Sequence, residues 1–435
     1  VEHTPTNSSS PSSPAPLQPG EPRETGHRGH RAPALSFIFF TLVLDILGIG
    51  LLIPVAPKLV AQLAGGSESH QTATYGYLVA TYALMQFIFA PILGSLSDKY
   101  GRRPVILCSL AGTGLDYFAM ALAPTLPWLF VTRAINGISG ANITACNAYI
   151  ADVTPPDKRA AGYGMVGAAF AIGFVLGPLL GGWLAQYDIR LPMWVAGSLA
   201  LLNWLYGFFV LPESLKREHR RPFSWSRANP IGAIAGLGKY PVAIGLAITM
   251  TLVQLAQFGL HSTWTLYTIH RYGWSELMVG VSLAVAGLTG GFVQGVLARK
   301  IIPRIGEPRA LIFGLCVATL AFAGYGASSQ GWMILAVLVA ASIGAIWGPA
   351  AQALITTAAP PDEQGAVQGA MTSLQSVAQV IAPLAATQIY AAFIDPENGL
   401  PDVPGAWFYV GAVLCAIGAG NAWRVVGKRD KAIQR

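Results

Sequence analysis

The sequence predicts an all-α membrane protein whose twelve transmembrane helices form two six-helix bundles. Three observations predict it. Hydrophobic residues make up 53% of the 435 residues and Asp, Glu, Lys and Arg only 11%, against roughly 25% charged residues in a soluble protein. Mean hydropathy is +0.51, so too few charges remain to cover a globular surface. Twelve apolar runs are each long enough to cross the roughly 30 Å core of a bilayer as a helix. A polar, basic stretch beginning "PESLKREHRRPFSWSRANP" divides those runs six and six.

Residues 1–33 are rich in Ser, Pro and Gly without apolar periodicity and read as a disordered cytoplasmic tail. They lack the short apolar core and cleavage site of a secretory signal. The runs follow at 34–60, 74–97, 104–124, 127–151, 160–187 and 191–211, which form an N-terminal bundle over 34–211. After a cytoplasmic linker over 212–239 come 240–268, 275–298, 308–328, 331–356, 365–393 and 404–425, a C-terminal bundle over 240–425. Residues 426–435 are expected to be a cytoplasmic tail.

Orientation comes from the basic residues. Of 27 Lys and Arg, only Lys58, Arg190 and Arg271 fall in loops of one face and Arg133 falls inside a run. The rest lie on the other face, which is therefore expected to be cytoplasmic, as are both termini of this multi-pass plasma (inner) membrane protein. The +7 formal charge serves that orientation signal and implies no nucleic-acid partner. Cys108, Cys146, Cys316 and Cys415 sit in apolar runs with no metal-ligand spacing and read as small reduced packing residues.

The two halves resemble each other. "AYIADVTPPDKRAAGYG" from Ala148 aligns without a gap on "ALITTAAPPDEQGAVQG" from Ala353, and the same register sets Pro178 on Pro383. A PPD turn also recurs between helices by chance, but the matching division of twelve runs favours a repeat. Two parallel repeats with a site between them is a secondary-transporter architecture.

"GSLSDKYGRRP", residues 94–104, joins the second and third runs. Gly94 permits close helix approach, Asp98 can face a helix end and Gly101 allows a tight turn. Arg102 and Arg103 offer forked donors for a carboxylate. Loop Lys and Arg alone would fit a generic orientation signal, whereas the full order of Gly, Asp, Gly and paired Arg is more specific. In "GFVLGPLLGG", Gly173, Gly177 and Gly181 share one helix face, and Pro178 weakens the backbone ladder.

Three ionisable groups lie deep in the N-terminal half: Asp45 in "LVLDILGIGLLIP", Asp116 and Arg133. A charge at the bilayer centre costs roughly 2.5–3.5 kcal/mol or more, so each must face protein or a wet cavity. Either each is a satisfied structural group, or the two acids and the base form a set that exchanges a proton for an ion pair. The C-terminal half carries polar side chains instead: Gln254, Gln257, His261, Gln294, Gln352, Gln375 and Gln379. With Trp264 and Tyr267 these would form a drug-binding wall of amides and aromatics, although Gln also binds helices together and His261 reads more readily as a packed polar residue than as a proton carrier.

The 94–104 loop resembles the signature of the major facilitator superfamily. "RAINGISGA" from Arg133 resembles that superfamily's fourth-helix motif and "GFVLGPLLGG" its antiporter motif. "LDILGIGLLIP", "LAGTGLDY", "YIADVT" and "LPES" narrow the resemblance to drug/H⁺ antiporters of the tetracycline-efflux group, over about 34–425. The resemblance implies the major facilitator fold, proton coupling through Asp45, Asp116 and Arg133, and a charge cluster of Asp98, Arg102 and Asp152 that closes the cytoplasmic side in the outward-facing state. It also implies a gate shaped by Gly173, Gly177, Pro178 and Gly181. The chain departs from the group at Gly290 and Ala318, where tetracycline antiporters often carry His and Asp.

The expected function is export of a small amphipathic drug, tetracycline first, as such or as a drug–metal chelate. The proton gradient is the energy source, with no cofactor and no obligate protein partner. A symporter or facilitator for a metabolite is the alternative transporter reading, and a non-transporting receptor lies in another class. With no GxxxxGK[ST], no HExxH and no water-facing Ser/His/Asp set, the sequence offers no enzymatic reading.

Overall fold

In a computed structural model of the chain, the described residues are 31–140, 143–154, 159–223, 239–358, 360 and 363–433. The N-terminal half contains α1 (Arg31–Leu52), α2 (Ala56–Ala64), α3 (Glu68–Tyr100), α4 (Arg102–Ala121), α5 (Leu126–Ser139), α6 (Ile143–Val153), α7 (Arg159–Leu184) and α8 (Leu191–Val210). The C-terminal half contains α9 (Pro241–Tyr272), α10 (Glu276–Ile305), α11 (Glu307–Ala327), α12 (Gly331–Thr356), α13 (Gln364–Ile394) and α14 (Ala406–Ile433). Ten of these helices are long and apolar enough to cross a membrane, and the pair α1–α2, bent by 46°, makes an eleventh span. The fourth expected run is carried by α5 and α6 on either side of residues 141–142, which lie outside the described residues. The protein is thus an all-α membrane protein with twelve spans in two bundles.

Several expected boundaries are corrected. The first run breaks at Ile53–Val55, where Pro54 and Pro57 cannot donate to a continuous backbone ladder, and Pro57 sits in the first turn of α2. α3 starts six residues before its expected start at 74, because Ser67 Oγ caps it by accepting the His70 N–H at 3.2 Å. α1 begins at Arg31, inside the expected tail, and the rest of that tail (1–30) lies outside the described residues. The last helix continues to Ile433 through the segment expected as a second tail, because no Pro interrupts its final turns. Linker residues 224–238, and the Pro155–Lys158 and Pro361–Asp362 parts of the repeated turn, also lie outside the described residues.

Among the described residues two helix pairs carry most of the contact between the bundles, α7 with α10 and α3 with α13, and α9 adds a smaller contact with α3. In the repeat register α7 corresponds to α13 and α3 to α10, so the two contacts are copies of each other. The same register sets Gly101 on Gly306, and both adopt positive φ (109° and 84°) at the start of the following helix.

The two ends of this interface differ. On the face opposite the linker, backbones meet at glycine: a Cβ at Gly182 would strike Glu276 and Leu277, one at Gly280 the Pro178 carbonyl, and one at Gly76 the Thr387 side chain. Lys58 Nζ pairs with Glu276 Oε1 at 2.6 Å and His270 Nδ1 lies 2.8 Å from Glu68 Oε1. Thr265 Oγ1 donates to the Ile53 carbonyl at 3.3 Å. Toward the linker face of the same four helices, a Cβ at Gly94, Gly164, Gly167, Gly290 or Gly369 would meet nothing within 4 Å. There α6 and the linker-side half of α12 pack on helices of their own bundles. The cavity between the bundles is closed on one face and open on the linker face.

Candidate functional site

The 94–104 loop forms a clasp with the start of the linker. Gly101 turns the chain with a φ that L side chains rarely adopt, and a Cβ there would strike the Glu213 carboxylate. Arg102, the first residue of α4, is 8% exposed. Its guanidinium lies 2.6 Å from Asp98 Oδ1 and 3.2 Å from Asp152 Oδ2, and it donates to Ser97 Oγ at 2.6 Å. Ser214 Oγ donates to the same Asp152 oxygen at 3.0 Å. Glu213 Oε1 accepts the backbone N–H groups of Arg102 and Leu215 at 2.9 and 3.0 Å. The Arg221 N–H donates to the Asp98 carbonyl at 3.1 Å. A cleft of about 590 Å³ lies over this network, lined by Asp98, Arg102 and Asp152 and by linker residues 215 and 218–221.

Three expectations for this loop change. Asp98, Arg102 and Asp152 are joined here while the bundles are parted on this very face, so the triad is intact in the open arrangement. Among the described residues Arg103 meets no carboxylate: it donates to the Phe208 carbonyl at 2.6 Å, with its guanidinium 5.9 Å from the centre of the Phe208 ring. At Gly94 a Cβ would meet nothing within 4 Å among the described residues, so close helix approach does not require a glycine there in this arrangement. Glu213 was not among the expected site residues, and its only sequence signal is its place in "LPES".

The second group lies inside the N-terminal bundle. Asp116, on α4, is 3% exposed, and among the described residues neither of its carboxyl oxygens completes a hydrogen bond. Asn136, on α5, faces this carboxyl, yet its Nδ2 completes no hydrogen bond. Arg133, one turn earlier on α5, donates to Met120 Sδ at 3.0 Å and lies 5.8 Å from the centre of the Tyr82 ring. Asp45, on α1, is half-buried. Its charge and that of Arg133 both act on Tyr82 and Tyr117, and the Tyr117 hydroxyl lies over Gly48, one turn from Asp45. The structure therefore gathers the two acids and the base around two tyrosines. Tyr82, Tyr117 and Asn136 carry no formal charge at neutral pH, so nothing in the sequence sets them apart from other polar residues of the apolar runs.

The glycine stripe of α7 lies on α1. A Cβ at Gly173 would come within 2.8 Å of Ile46 Cβ, and one at Gly177 within 2.7 Å of Gly50 Cα. One at Gly181 would strike the Leu51 carbonyl. Pro178 reaches both ways, its ring against Gly50 and its carbonyl against Gly280 of the other bundle. This helix connects the segment bearing Asp45 to the opposite bundle.

Among the C-terminal residues, His261, Gln294, Gln352 and Gln375 are exposed and Gln257 is half-buried. Among the described residues, none of these side chains makes a hydrogen bond. An amide facing hydrocarbon in that condition is costly, so these positions suit a wet cavity. The His261 ring centre lies 5.8 Å from that of Phe174 on α7, across the inter-bundle gap. Gln294 sits in a five-residue π-helical stretch, Val293–Leu297, a local irregularity frequent at functional sites. Trp264 and Tyr267 are not part of this wall: both are buried, Trp264 Nε1 donating to Ser282 Oγ at 2.9 Å and the Tyr267 hydroxyl to the Tyr325 carbonyl at 3.2 Å. Cys108 and Cys316 are exposed instead of packed, while Cys146 and Cys415 are buried, and all four are free thiols. Gly290 faces open space and Ala318 is buried.

Comparison with known proteins agrees with this arrangement. Residues 38–383 match the Major Facilitator Superfamily model. The chain is 37% identical over 379 residues to the class C tetracycline resistance protein of Escherichia coli, covering 87% of this chain and 94% of that protein. It is 33% identical over 381 residues to the class B protein of Escherichia coli, covering 86% and 92%. Among solved structures, the human organic anion transporter MFSD10 superposes with a TM-score of 0.69 at 26% identity, over 90% of this chain and 99% of that one. The chain belongs to the Major Facilitator Superfamily, among the relatives of the tetracycline resistance proteins.

Proposed function

We propose that the protein is a proton-coupled antiporter that exports a small amphipathic drug by alternating access, with tetracycline, free or as a metal chelate, the first compound to test. The linker face is cytoplasmic, as the concentration of Lys and Arg there supports, so the structure stands in a drug-accepting state open to the cytoplasm. Substrate enters between the bundles, against the amides of α10, α12 and α13 and His261. Asp45 and Asp116 take up and release the proton, and Arg133 stays charged as the partner that a deprotonated carboxylate can recruit. No cofactor or enzymatic step is invoked, since each proton moving down the membrane potential supplies about 2.3 kcal/mol per 100 mV.

The observation that carries this reading is the buried Asp116 carboxyl, whose oxygens complete no hydrogen bond among the described residues, in the same bundle as a half-buried Arg133 that is bonded to Met120. A permanently structural acid would be paired. The test is tetracycline accumulation by inverted membrane vesicles with an acidified lumen. Uptake that collapses when the pH gradient is dissipated supports antiport; proton movement in the same direction as the drug would replace it with symport.

A further inference from the structure

Arg133 has an unexpected partner. In a membrane interior a guanidinium would be expected to seek a carboxylate, yet it donates to the thioether of Met120 at 3.0 Å, and sulfur is a weak acceptor. Met120 lies four residues after Asp116 on α4, so the two side chains stack on one face a single helical turn apart. Met120 is 1% exposed and Asp116 3%. Among the described residues neither Asp116 oxygen completes a hydrogen bond of normal geometry, and the Asn136 amide stands beside them only as a poorly aligned donor. A charged carboxylate in that position would draw in the guanidinium one turn away, because an opposite charge there is worth far more than a thioether. A guanidinium left on sulfur fits a carboxyl that already holds its proton.

We propose that Met120 is the resting partner of Arg133, holding the guanidinium one turn from Asp116 while that carboxyl is protonated. When the Asp116 O–H bond breaks, the proton passes to cavity water and the carboxylate keeps the electron pair. The guanidinium retains its charge and moves along α4 from sulfur to carboxylate, so the pair falls from one net positive charge to none. Met120 is a positioning residue, and its weakness as an acceptor makes the exchange easily reversible. The other titratable or charged groups facing this exchange among the described residues are Asp45 from α1, Tyr75 and Tyr82 from α3, Tyr117 on α4 itself, and Arg190, whose guanidinium is held by the Ala121 and Ala123 carbonyls at the end of α4. Tyr117 directly follows Asp116 in sequence, but one residue along a helix turns its side chain about 100° away from the face that carries Asp116 and Met120.

This inference rests on the reading of Asp116 as a proton carrier, and its test is kept separate from transport. Purified full-length protein in lipid vesicles is titrated by pH-difference infrared spectroscopy, following the C=O band of a protonated carboxyl that disappears in Asp116→Asn. Met120→Gln supplies a stronger neutral acceptor, holds the guanidinium back and keeps the proton on Asp116 to higher pH. Met120→Leu keeps the volume without an acceptor, frees the guanidinium and lets the proton leave at lower pH. The expected result is displacement of the midpoint in opposite directions, each by about half a pH unit or more, about threefold in proton affinity. An unchanged midpoint in both variants, displacement in one direction, or no band lost in Asp116→Asn overturns the proposal. Uphill export that survives Asp116→Asn would instead remove Asp116 from the transport proton route, while opposite displacements would leave the resting-partner relationship standing.

Discussion

The Glu213 carboxylate accepts the backbone N–H of Arg102 at 2.9 Å, tying the first turn of the linker to the first turn of α4. Its other oxygen lies 3.8 Å from Arg220. One acid thus anchors both the motif loop and the linker, at the point where Gly101 leaves room for it. Removing it in Glu213→Ala orphans two backbone donors and one guanidinium. Partial exposure tempers the loss, and the expected cost is about 1–2 kcal/mol, read as a lower unfolding temperature in detergent. A parental unfolding temperature would show that the clasp contributes nothing.

The close approach of α1 and α7 makes Gly177 intolerant. A Cβ there would come within 2.7 Å of Gly50 Cα and 2.8 Å of the Leu47 carbonyl, and backbone cannot step aside cheaply. Gly177→Ala is expected to cost about 1–3 kcal/mol, whereas Gly167→Ala, in open space on the same helix, stays within about 0.5 kcal/mol of parent. Thermal unfolding of the two variants side by side checks the contrast; equal behaviour would contradict the packing.

Two ion pairs link the bundles on the closed face, Lys58–Glu276 and His270–Glu68. Each is partly exposed, so each is worth at most about 1 kcal/mol, enough to shift a two-state equilibrium about fivefold. Lys58→Ala should raise the labelling rate of an engineered cysteine placed behind this closure. The charge swap Lys58→Glu with Glu276→Lys should return it toward parent. Labelling that ignores both variants would mean that the pair has no part in holding the bundles together.

The exposed amides Gln294 and Gln352 make no hydrogen bonds here, which leaves them available to substrate. Gln294→Ala and Gln352→Ala are expected to raise the apparent KM for the exported drug by about fivefold to tenfold, one lost neutral hydrogen bond each, without moving the pH profile. A changed pH profile with unchanged KM would place them on the proton route.

Much of this arrangement was legible in the residues. Asp45, Asp116 and Arg133 were found because charge is so rare in these runs, and the structure gathers them. The repeat register found from two PPD turns also relates Gly101 to Gly306 and one inter-bundle helix pair to the other. What escaped detection had no charge or period to mark it. Met120 is one Met among apolar neighbours, and Asn136 is one neutral amide. Glu213 was quoted only as part of a motif, because nothing local says that its oxygens reach back to residue 102. The inter-bundle partners could not be found at all, since Glu276 and Lys58 lie 218 residues apart. Trp264 and Tyr267 were misplaced because sequence does not say whether an aromatic faces a cavity or its own bundle. The break at Pro54 was underweighted, because hydropathy continues across a bend.

The central claim is that buried carboxyls link proton movement to drug movement. Its most direct test compares two assays in proteoliposomes, using Asp45→Asn and Asp116→Asn beside the parent. One follows uphill drug accumulation driven by an imposed pH gradient, and the other follows exchange of labelled for unlabelled drug at equal pH. Loss of the first with retention of the second is the predicted result. Uphill accumulation at the parental rate in both variants would contradict the account.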